Sequence, residues 1–116
     1  MRRIVIGVTG ASGSVYGKRL LEVLGDVDDV ETHLVVSSGA AITIEHELQH
    51  PATDLHALAD VVHHDRDLGA SIASGSFRVH GMVVAPCSIK TLSGIANCYD
   101  DTLIVRAADV RLKERQ

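Results

Sequence analysis

Hydrophobic residues fall along the chain in blocks whose spacing predicts strands and helices in alternation. A β-branched run at residues 3–8 leads into glycines and predicts a strand that is buried on both faces. Residues 14–24 carry apolar side chains at helical spacing and are followed by a glycine, a common stop signal of a helix. Residues 30–36 predict a second strand, and residues 39–49 predict a second helix that Pro51 closes.

The rest of the chain has a weaker pattern until residue 82. Between residues 54 and 75 we expect exposed, mobile loops around a short helix, which is indicated by Leu55, Leu58, Ala59 and Val62. A third buried strand is predicted at residues 82–85, followed by helices at residues 89–97 and 103–115. On the last helix the predicted apolar side carries Ile104, Ala107, Ala108 and Leu112, and the predicted polar side carries Arg106, Asp109, Arg111 and Glu114.

Alternating strands and helices predict the α/β class, a three-layer α/β/α domain around a parallel sheet. Three strands make a small sheet with an open edge, and no further strand follows to cover the last helix. We therefore expect residues 1–116 to form one domain that is incomplete at its C-terminus, or one whose open surface is covered by another chain.

Composition narrows the class of protein. The chain has 116 residues, 46% of them hydrophobic and 3% aromatic, so we expect a single core built from aliphatic side chains. The net charge is −4 and no basic cluster stands out, which argues against a nucleic-acid partner. The apolar runs are far shorter than the roughly 20 residues of a membrane span, and no secretory signal is recognisable, so we expect a cytoplasmic protein. Cys87 and Cys98 match neither a CxxC pair nor a four-ligand zinc pattern.

A glycine-rich segment, Gly7-Val8-Thr9-Gly10-Ala11-Ser12-Gly13, joins the first strand to the first helix. Glycines permit a tight turn and the close approach of an anion, and the free N–H groups at a helix N-terminus attract phosphate. The GxxGxxG spacing, with no acidic residue after the second strand, favours a mononucleotide over NAD, and the residues at positions 12 and 19 do not fit a P-loop. A tight turn without a ligand remains the alternative.

Two further polar loops follow predicted strands. Ser37-Ser38-Gly39 comes after the second strand, and Pro86-Cys87-Ser88-Ile89-Lys90-Thr91 comes after the third. Open parallel sheets bind ligands at the carboxyl ends of their strands, so we expect these loops and the glycine-rich segment to converge on one crevice.

A competing signal is the HExxH pattern formed by His46, Glu47 and His50 on a predicted helix. In zinc hydrolases the two histidines bind the metal and the glutamate acts as general base. Seven histidines in the chain make a chance match easy, and Pro51 leaves His50 at a helix end. We therefore expect no metal site, and the zinc hydrolase stays a third-ranked alternative.

Five segments together carry a family resemblance: residues 6–17 (IGVTGASGSVYG), 31–37 (ETHLVVS), 73–77 (ASGSF), 81–96 (GMVVAPCSIKTLSGIA) and 105–115 (VRAADVRLKER). They resemble the UbiX-type flavin prenyltransferases over essentially the whole chain. The resemblance implies a flavodoxin-like, homo-oligomeric flavoprotein that binds FMN. Members of that family join a dimethylallyl group from dimethylallyl phosphate to N5 and C6 of reduced FMN without a metal, and the prenylated FMN serves a UbiD-type decarboxylase, in ubiquinone biosynthesis or in decarboxylation of aromatic acids.

Carried over by position, the resemblance implies an FMN site made from the same three loops. Its cofactor-binding residues would be Gly10, Ala11, Ser12, Ser37, Ser88, Ile89, Lys90 and Thr91. It implies two catalytic residues as well, Ser12 assisting at the flavin N5 and Glu47 near the prenyl site. A carboxylate close to a developing allylic cation is electrostatically favourable.

The chain also departs from the family pattern. Ser38 and Gly39 stand where relatives commonly have Lys-Ala, so a positive charge is absent there. Relatives continue past residue 115 into another strand and a C-terminal part that contacts FMN and dimethylallyl phosphate, so the resemblance implies roughly the FMN half of the site. Two alternatives stay open: a cysteine-type decarboxylase, which typically has an Asn in the third loop, and a non-catalytic FMN-binding or oligomer-forming fragment.

Overall fold

The computed structural model describes residues 2–97 and 102–114. The strands are β1 (Arg2–Val8), β2 (Val30–Val36), β3 (Val61–His64) and β4 (Gly81–Val84). The helices are α1 (Ser14–Gly25), α2 (Ser38–Leu48), α3 (Thr53–His56), α4 (Ile89–Asn97) and α5 (Leu103–Glu114), and Ser71–Ala73 forms a short 3₁₀ helix. Within these two ranges no helix has the length and apolar character needed to cross a bilayer.

The four strands form one parallel sheet in the order β3-β2-β1-β4. β1 pairs with β2 from Arg2↔Val30 to Val8↔Val36, and with β4 from Ile4↔Gly81 to Gly7↔Val84. The chain moves outward from β1 to β3 and then crosses to the other side of β1, so its direction across the sheet reverses between β1 and β4. Such a reversal opens a crevice outside the carboxyl ends of the strands.

Two hydrophobic cores cover the two faces of the sheet, as the alternation of side chains along a strand requires. One face packs against α5 and the 3₁₀ helix, through the buried residues Val5, Val35, Ile72, Val79, Leu103, Ile104 and Ala107. The other packs against α1, α2 and α3, through the buried residues Ile6, Val8, Leu21, Leu34, Ala40, Ile44 and Leu55. This arrangement confirms the predicted three-layer α/β/α class with a parallel sheet.

Close packing of α1 against the end of β4 depends on a glycine. A Cβ atom on Gly17 would lie 2.6 Å from the carbonyl oxygen of Ala85, a distance that side chains do not tolerate. The helix can therefore approach the β4 loop closely only because residue 17 has no side chain. This contact brings the N-terminus of α1 next to the loop that follows β4.

The sequence-based prediction was wrong for much of residues 54–75. The α-helix there is short, Thr53–His56, and Val62 belongs to β3, a fourth strand that the pattern did not indicate. β3 pairs with β2 alone and alternates half-buried with exposed residues, so it lacks the continuous apolar run of the buried strands. The segment is also not simply exposed, since Asp65, Ala70 and Ile72 are buried.

The predicted faces of α5 need a second correction. Arg111 is 3% exposed, whereas Leu112 is 67% exposed. The Arg111 guanidinium donates hydrogen bonds to the carbonyl oxygens of Ile72 (3.2 Å) and Ser74 (3.3 Å). The buried side of α5 therefore includes the long side chain of Arg111, and Leu112 lies on the exposed side. Residue 115, the predicted end of this helix, lies outside the described residues. Apart from the short helix predicted within residues 54–75, the other predicted helix and strand ends agree with the structure to within one residue.

Candidate functional site

A cleft of about 830 Å³ opens at the carboxyl ends of the strands. Its volume lies within the roughly 300–1,000 Å³ that small-molecule pockets usually occupy. The loops that follow all four strands contribute to it, through Gly10, Ser37, Ser38, Gly39, Asp65, Arg66, Ser88, Lys90 and Thr91. The N-terminal turn of α5 closes one side with Thr102, Ile104 and Val105.

The first two loops meet backbone to backbone. A Cβ atom on Gly10 would lie 3.2 Å from the carbonyl carbon of Gly39, a tight contact, whereas a Cβ atom on Gly39 would lie 3.9 Å from the Cα of Gly10. The Thr43 hydroxyl lies 3.1 Å from the carbonyl oxygen of Gly10 and 3.2 Å from that of Gly39, and it donates to this pair. Glycines at this junction therefore expose peptide groups to the cleft where a ligand approaches.

The N-terminus of α1 is occupied by a carboxylate from α2. Glu47 accepts hydrogen bonds from the Ser12 hydroxyl (2.7 Å) and from the backbone N–H groups of Gly13 (3.2 Å) and Ser14 (3.0 Å). These bonds, that of the Ser12 hydroxyl first, lower the pKa of Glu47 to about 2, so the group is ionised at neutral pH. The helix end that the sequence suggested for a phosphate thus already holds an anion of the protein itself.

A buried threonine links the first loop to the loop after β4. The Thr9 hydroxyl, in a residue only 1% exposed, donates to the carbonyl oxygen of Pro86 (2.6 Å) and accepts from the N–H of Ser88 (2.7 Å). The Ala85–Pro86 peptide is cis. Sequence reasoning missed this role of Thr9, because its partners lie in a distant segment of the chain.

The serines of the second and fourth loops cap the helices that follow them. Ser37 Oγ accepts the N–H of Ala40 (3.1 Å) at the start of α2, and Ser88 Oγ accepts the N–H of Thr91 (3.1 Å) at the start of α4. The Ser88 hydroxyl donates to Thr91 Oγ1 (3.0 Å). Both caps fix the loop conformation at the edge of the cleft.

The structure brings most of the predicted cofactor-binding residues together. Gly10, Ser37, Ser88, Lys90 and Thr91 line the cleft. The other three predicted residues are not part of the lining: Ala11 and Ser12, in the loop before α1, and Ile89, which is 87% exposed. Asp65 and Arg66 were missed because they follow β3, the strand that the sequence pattern did not reveal.

The residues of the HExxH pattern are separated by their local structure. Glu47 turns toward α1, whereas His46 and His50 lie on a shallow surface hollow with Ile42. α2 ends at Leu48, so His50 falls outside the helix, where its Nδ1 lies 3.5 Å from Oδ2 of Asp54. Over residues 2–97 and 102–114, no group of three or more His, Cys, Asp or Glu side chains is arranged to hold a metal ion.

Similarity to known proteins extends along the whole chain. A family model described as Flavoprotein matches residues 1–116. The chain belongs to this flavoprotein family. The matched range includes all the loops that line the cleft and the whole of the sheet.

Individual relatives are closely similar to this flavoprotein in sequence and in structure. It is 57% identical over 116 residues to flavin prenyltransferase UbiX of Escherichia coli strain K12, a match that covers 100% of this chain and 61% of the relative. A crystal structure of AnUbiX (PadA1) in complex with FMN and dimethylallyl pyrophosphate superposes with a TM-score of 0.96 at 49% identity, covering 99% of this chain and 61% of that one.

A third comparison agrees with these two. The dodecameric FMN-dependent Ubix-like decarboxylase from Escherichia coli O157:H7 superposes with a TM-score of 0.96 at 51% identity, and the match covers 98% of this flavoprotein and 62% of that chain. The comparisons confirm the expected family resemblance and the flavodoxin-like α/β fold. The flavoprotein spans about 61% of the length of the curated relative that it matches.

Proposed function

We propose that this flavoprotein binds FMN in the cleft and is part of a flavin prenyltransferase that uses dimethylallyl phosphate. The observation that carries the proposal is the 57% identity to a flavin prenyltransferase along all 116 residues. Reduced FMN would supply the N5 and C6 atoms that accept the dimethylallyl group. The cofactor-binding residues of this proposal remain the eight of the sequence resemblance, with the five that line the cleft at its centre.

The residues present fit FMN. The Gly10–Gly39 junction leaves peptide groups uncovered at the cleft wall, as the close approach of a flat or anionic ligand requires. Hydroxyl groups of Ser37 and Thr91 offer hydrogen bonds to a polyol chain, and Lys90 supplies a positive charge for a phosphate. A cleft of about 830 Å³ has room for such a ligand.

Glu47 and Ser12 are the proposed catalytic residues. The pKa of Glu47 is about 2, so its charge persists at any pH at which the enzyme would operate. A fixed carboxylate beside a developing allylic cation lowers the energy of that charge separation. Ser12 holds this carboxylate through a 2.7 Å hydrogen bond and thereby keeps the charge in one place.

We also propose that the protein assembles as a homo-oligomer, passes prenylated FMN to a UbiD-type decarboxylase and works in the cytoplasm. Support for assembly comes from the dodecameric relative and from large apolar side chains on the surface of this chain, with Tyr16 70%, Ile89 87% and Leu92 59% exposed.

The experiment that tests the proposal has two stages. FMN is titrated into the purified chain while flavin fluorescence is followed, and saturable binding close to one per chain is expected. The loaded protein is then reduced without oxygen, given dimethylallyl phosphate and examined by mass spectrometry for prenylated FMN.

The outcomes separate the alternatives. Binding without any prenylated product favours the non-catalytic fragment, and decarboxylation of a peptide with a C-terminal cysteine favours the cysteine-type decarboxylase. A folded chain that binds no FMN contradicts the proposed site in this chain.

A further inference from the structure

The loop after β3 brings a second cation to the cleft. Arg66 lines the cleft, as Lys90 does from the first turn of α4. The Arg66 side chain is exposed, and the ion pairs found within residues 2–97 and 102–114 do not include it. An arginine that faces a pocket without a carboxylate partner is available to an anionic ligand.

Hydrogen bonds of Arg66 and its neighbour Asp65 fix the backbone position of Arg66. The buried Asp65 joins β3 to α5, because its carbonyl oxygen accepts the N–H of Leu103 (2.8 Å) and its Oδ1 accepts the N–H of Ile104 (3.1 Å). The backbone N–H of Arg66 donates to Nδ1 of His64 (3.1 Å). The guanidinium is therefore carried on a backbone that is held at the cleft edge.

Three carboxylates of the described residues at or next to the cleft loops accept backbone N–H groups. Glu47 accepts those of Gly13 and Ser14 at the start of α1, and the Asp65 carboxylate accepts that of Ile104 at the start of α5. Asp67, next in the chain to Arg66, accepts the N–H of Gly69 through Oδ1 (3.2 Å). The carboxylates of Glu47 and Asp65 offset the partial positive charge at the N-termini of α1 and α5. Among the described lining residues, Arg66 and Lys90 therefore carry the full positive charges.

We propose that Arg66 acts with Lys90 to bind the phosphate monoester of the ligand in this cleft. The inference rests on the proposed function and extends it, since it assigns the phosphate to the loop after β3 instead of the N-terminus of α1. Guanidinium groups bind phosphate oxygens through two parallel N–H donors, and Lys90 adds a point charge. Two phosphate monoesters fit this chemistry, the 5′-phosphate of FMN and the phosphate of dimethylallyl phosphate.

The test compares Arg66→Gln with the unchanged chain at low ionic strength. FMN and riboflavin are titrated separately by fluorescence, and dimethylallyl phosphate is titrated calorimetrically into FMN-loaded protein. If Arg66 binds the flavin phosphate, FMN affinity falls on the order of tenfold while riboflavin affinity stays within about twofold. If Arg66 binds the allylic phosphate, FMN affinity is unchanged and dimethylallyl phosphate affinity falls by a similar factor.

Control variants separate the specific effect from loss of net charge or of folding. Arg19→Gln removes an equal charge from the exposed surface of α1, outside the cleft lining, and all affinities should stay unchanged. Arg66→Lys should keep part of the phosphate affinity. Equal binding of FMN and dimethylallyl phosphate by Arg66→Gln and the unchanged chain overturns the Arg66 assignment alone, whereas an unchanged folded chain that binds no ligand overturns the proposed function as well.

Discussion

The Ser12 hydroxyl donates a 2.7 Å hydrogen bond to Oε2 of Glu47, and this bond ties the glycine-rich loop to α2. The same carboxylate accepts the N–H groups of Gly13 and Ser14. One side chain from the second helix therefore sets the conformation of the loop that precedes the first helix. Substitution of Glu47 should therefore alter the conformation of the glycine-rich loop first.

Glu47→Gln should weaken FMN binding on the order of tenfold, because the amide has one acceptor oxygen and no charge to hold two backbone N–H groups and a hydroxyl. Fluorescence titration measures the change. Glu45→Gln, on the exposed surface of the same helix, is the matched control and should bind as the unchanged chain does. An unaltered affinity in the folded Glu47→Gln variant would show that the loop holds its shape without this carboxylate.

The ionisation of Glu47 predicts how stability depends on pH. Its pKa falls from 4.5 to about 2 on folding, so between these values the unfolded chain binds more protons at this site than the folded chain. The stabilising contribution is complete above pH 4.5 and is lost as the pH falls toward 2. The difference in free energy of unfolding between the unchanged chain and Glu47→Gln, measured in urea, should be constant above pH 5 and should shrink below pH 4.5. A difference that does not vary with pH would contradict the assigned pKa.

Replacement of Gly10 by valine should abolish FMN binding, because its Cβ would press on the carbonyl carbon of Gly39 from 3.2 Å. Gly13→Ala should cost about 1–3 kcal/mol, since residue 13 has φ +106°. Gly25→Ala is the control, because a Cβ there meets nothing closer than 4.0 Å and should change stability by less than about 0.5 kcal/mol. Circular dichroism checks folding, and retained flavin affinity in folded Gly10→Val would exclude this loop from the site.

Thr9→Val should destabilise the protein by about 2 kcal/mol, because it leaves the half-buried N–H of Ser88 without its acceptor and the carbonyl of Pro86 without its hydroxyl donor. Urea unfolding measures the loss. Thr53→Val is a matched substitution at an exposed threonine and should be close to neutral. If both variants unfold at the same urea concentration, Thr9 does not hold the two loops together.

His46→Ala should leave flavin binding and any prenylation unchanged, because His46 lies on the surface hollow of α2 and not in the cleft. Metal analysis of the purified protein accompanies the assay. Stoichiometric zinc that is lost in the variant, together with loss of activity, would restore the zinc hydrolase as an explanation.

Much of the fold was predictable because the buried strands have strong apolar runs. The run at residues 3–8 indicated β1 at the centre of the sheet, and the run at residues 82–85 indicated β4, which lies at an edge and is half-buried instead of buried; the loops after both strands indicated the crevice. β3 could not be predicted in this way, because its two histidines interrupt the apolar pattern. The loop that follows β3, which contains Asp65 and Arg66, was therefore not predicted to line the crevice.

The candidate site was predictable for a different reason. Residues such as Gly10, Ser37 and Ser88 stand at strand ends, a position that the periodicity of the chain reveals. Contacts between distant segments leave no such trace, so neither Thr9 bridging to the β4 loop nor Glu47 closing the end of α1 could be derived from local pattern. The buried Arg111 was missed likewise, because the carbonyl groups that pair with it lie in another segment.

The lining of the cleft draws on residues as distant in the chain as Gly10 and Val105. During synthesis the first strand and the glycine-rich loop emerge early, and α5, which forms the wall that faces them, is translated after all four strands. Domains fold as units, and synthesis adds roughly 5–20 residues per second. The complete cleft can therefore form only after α5 has been made, seconds after the glycine-rich loop.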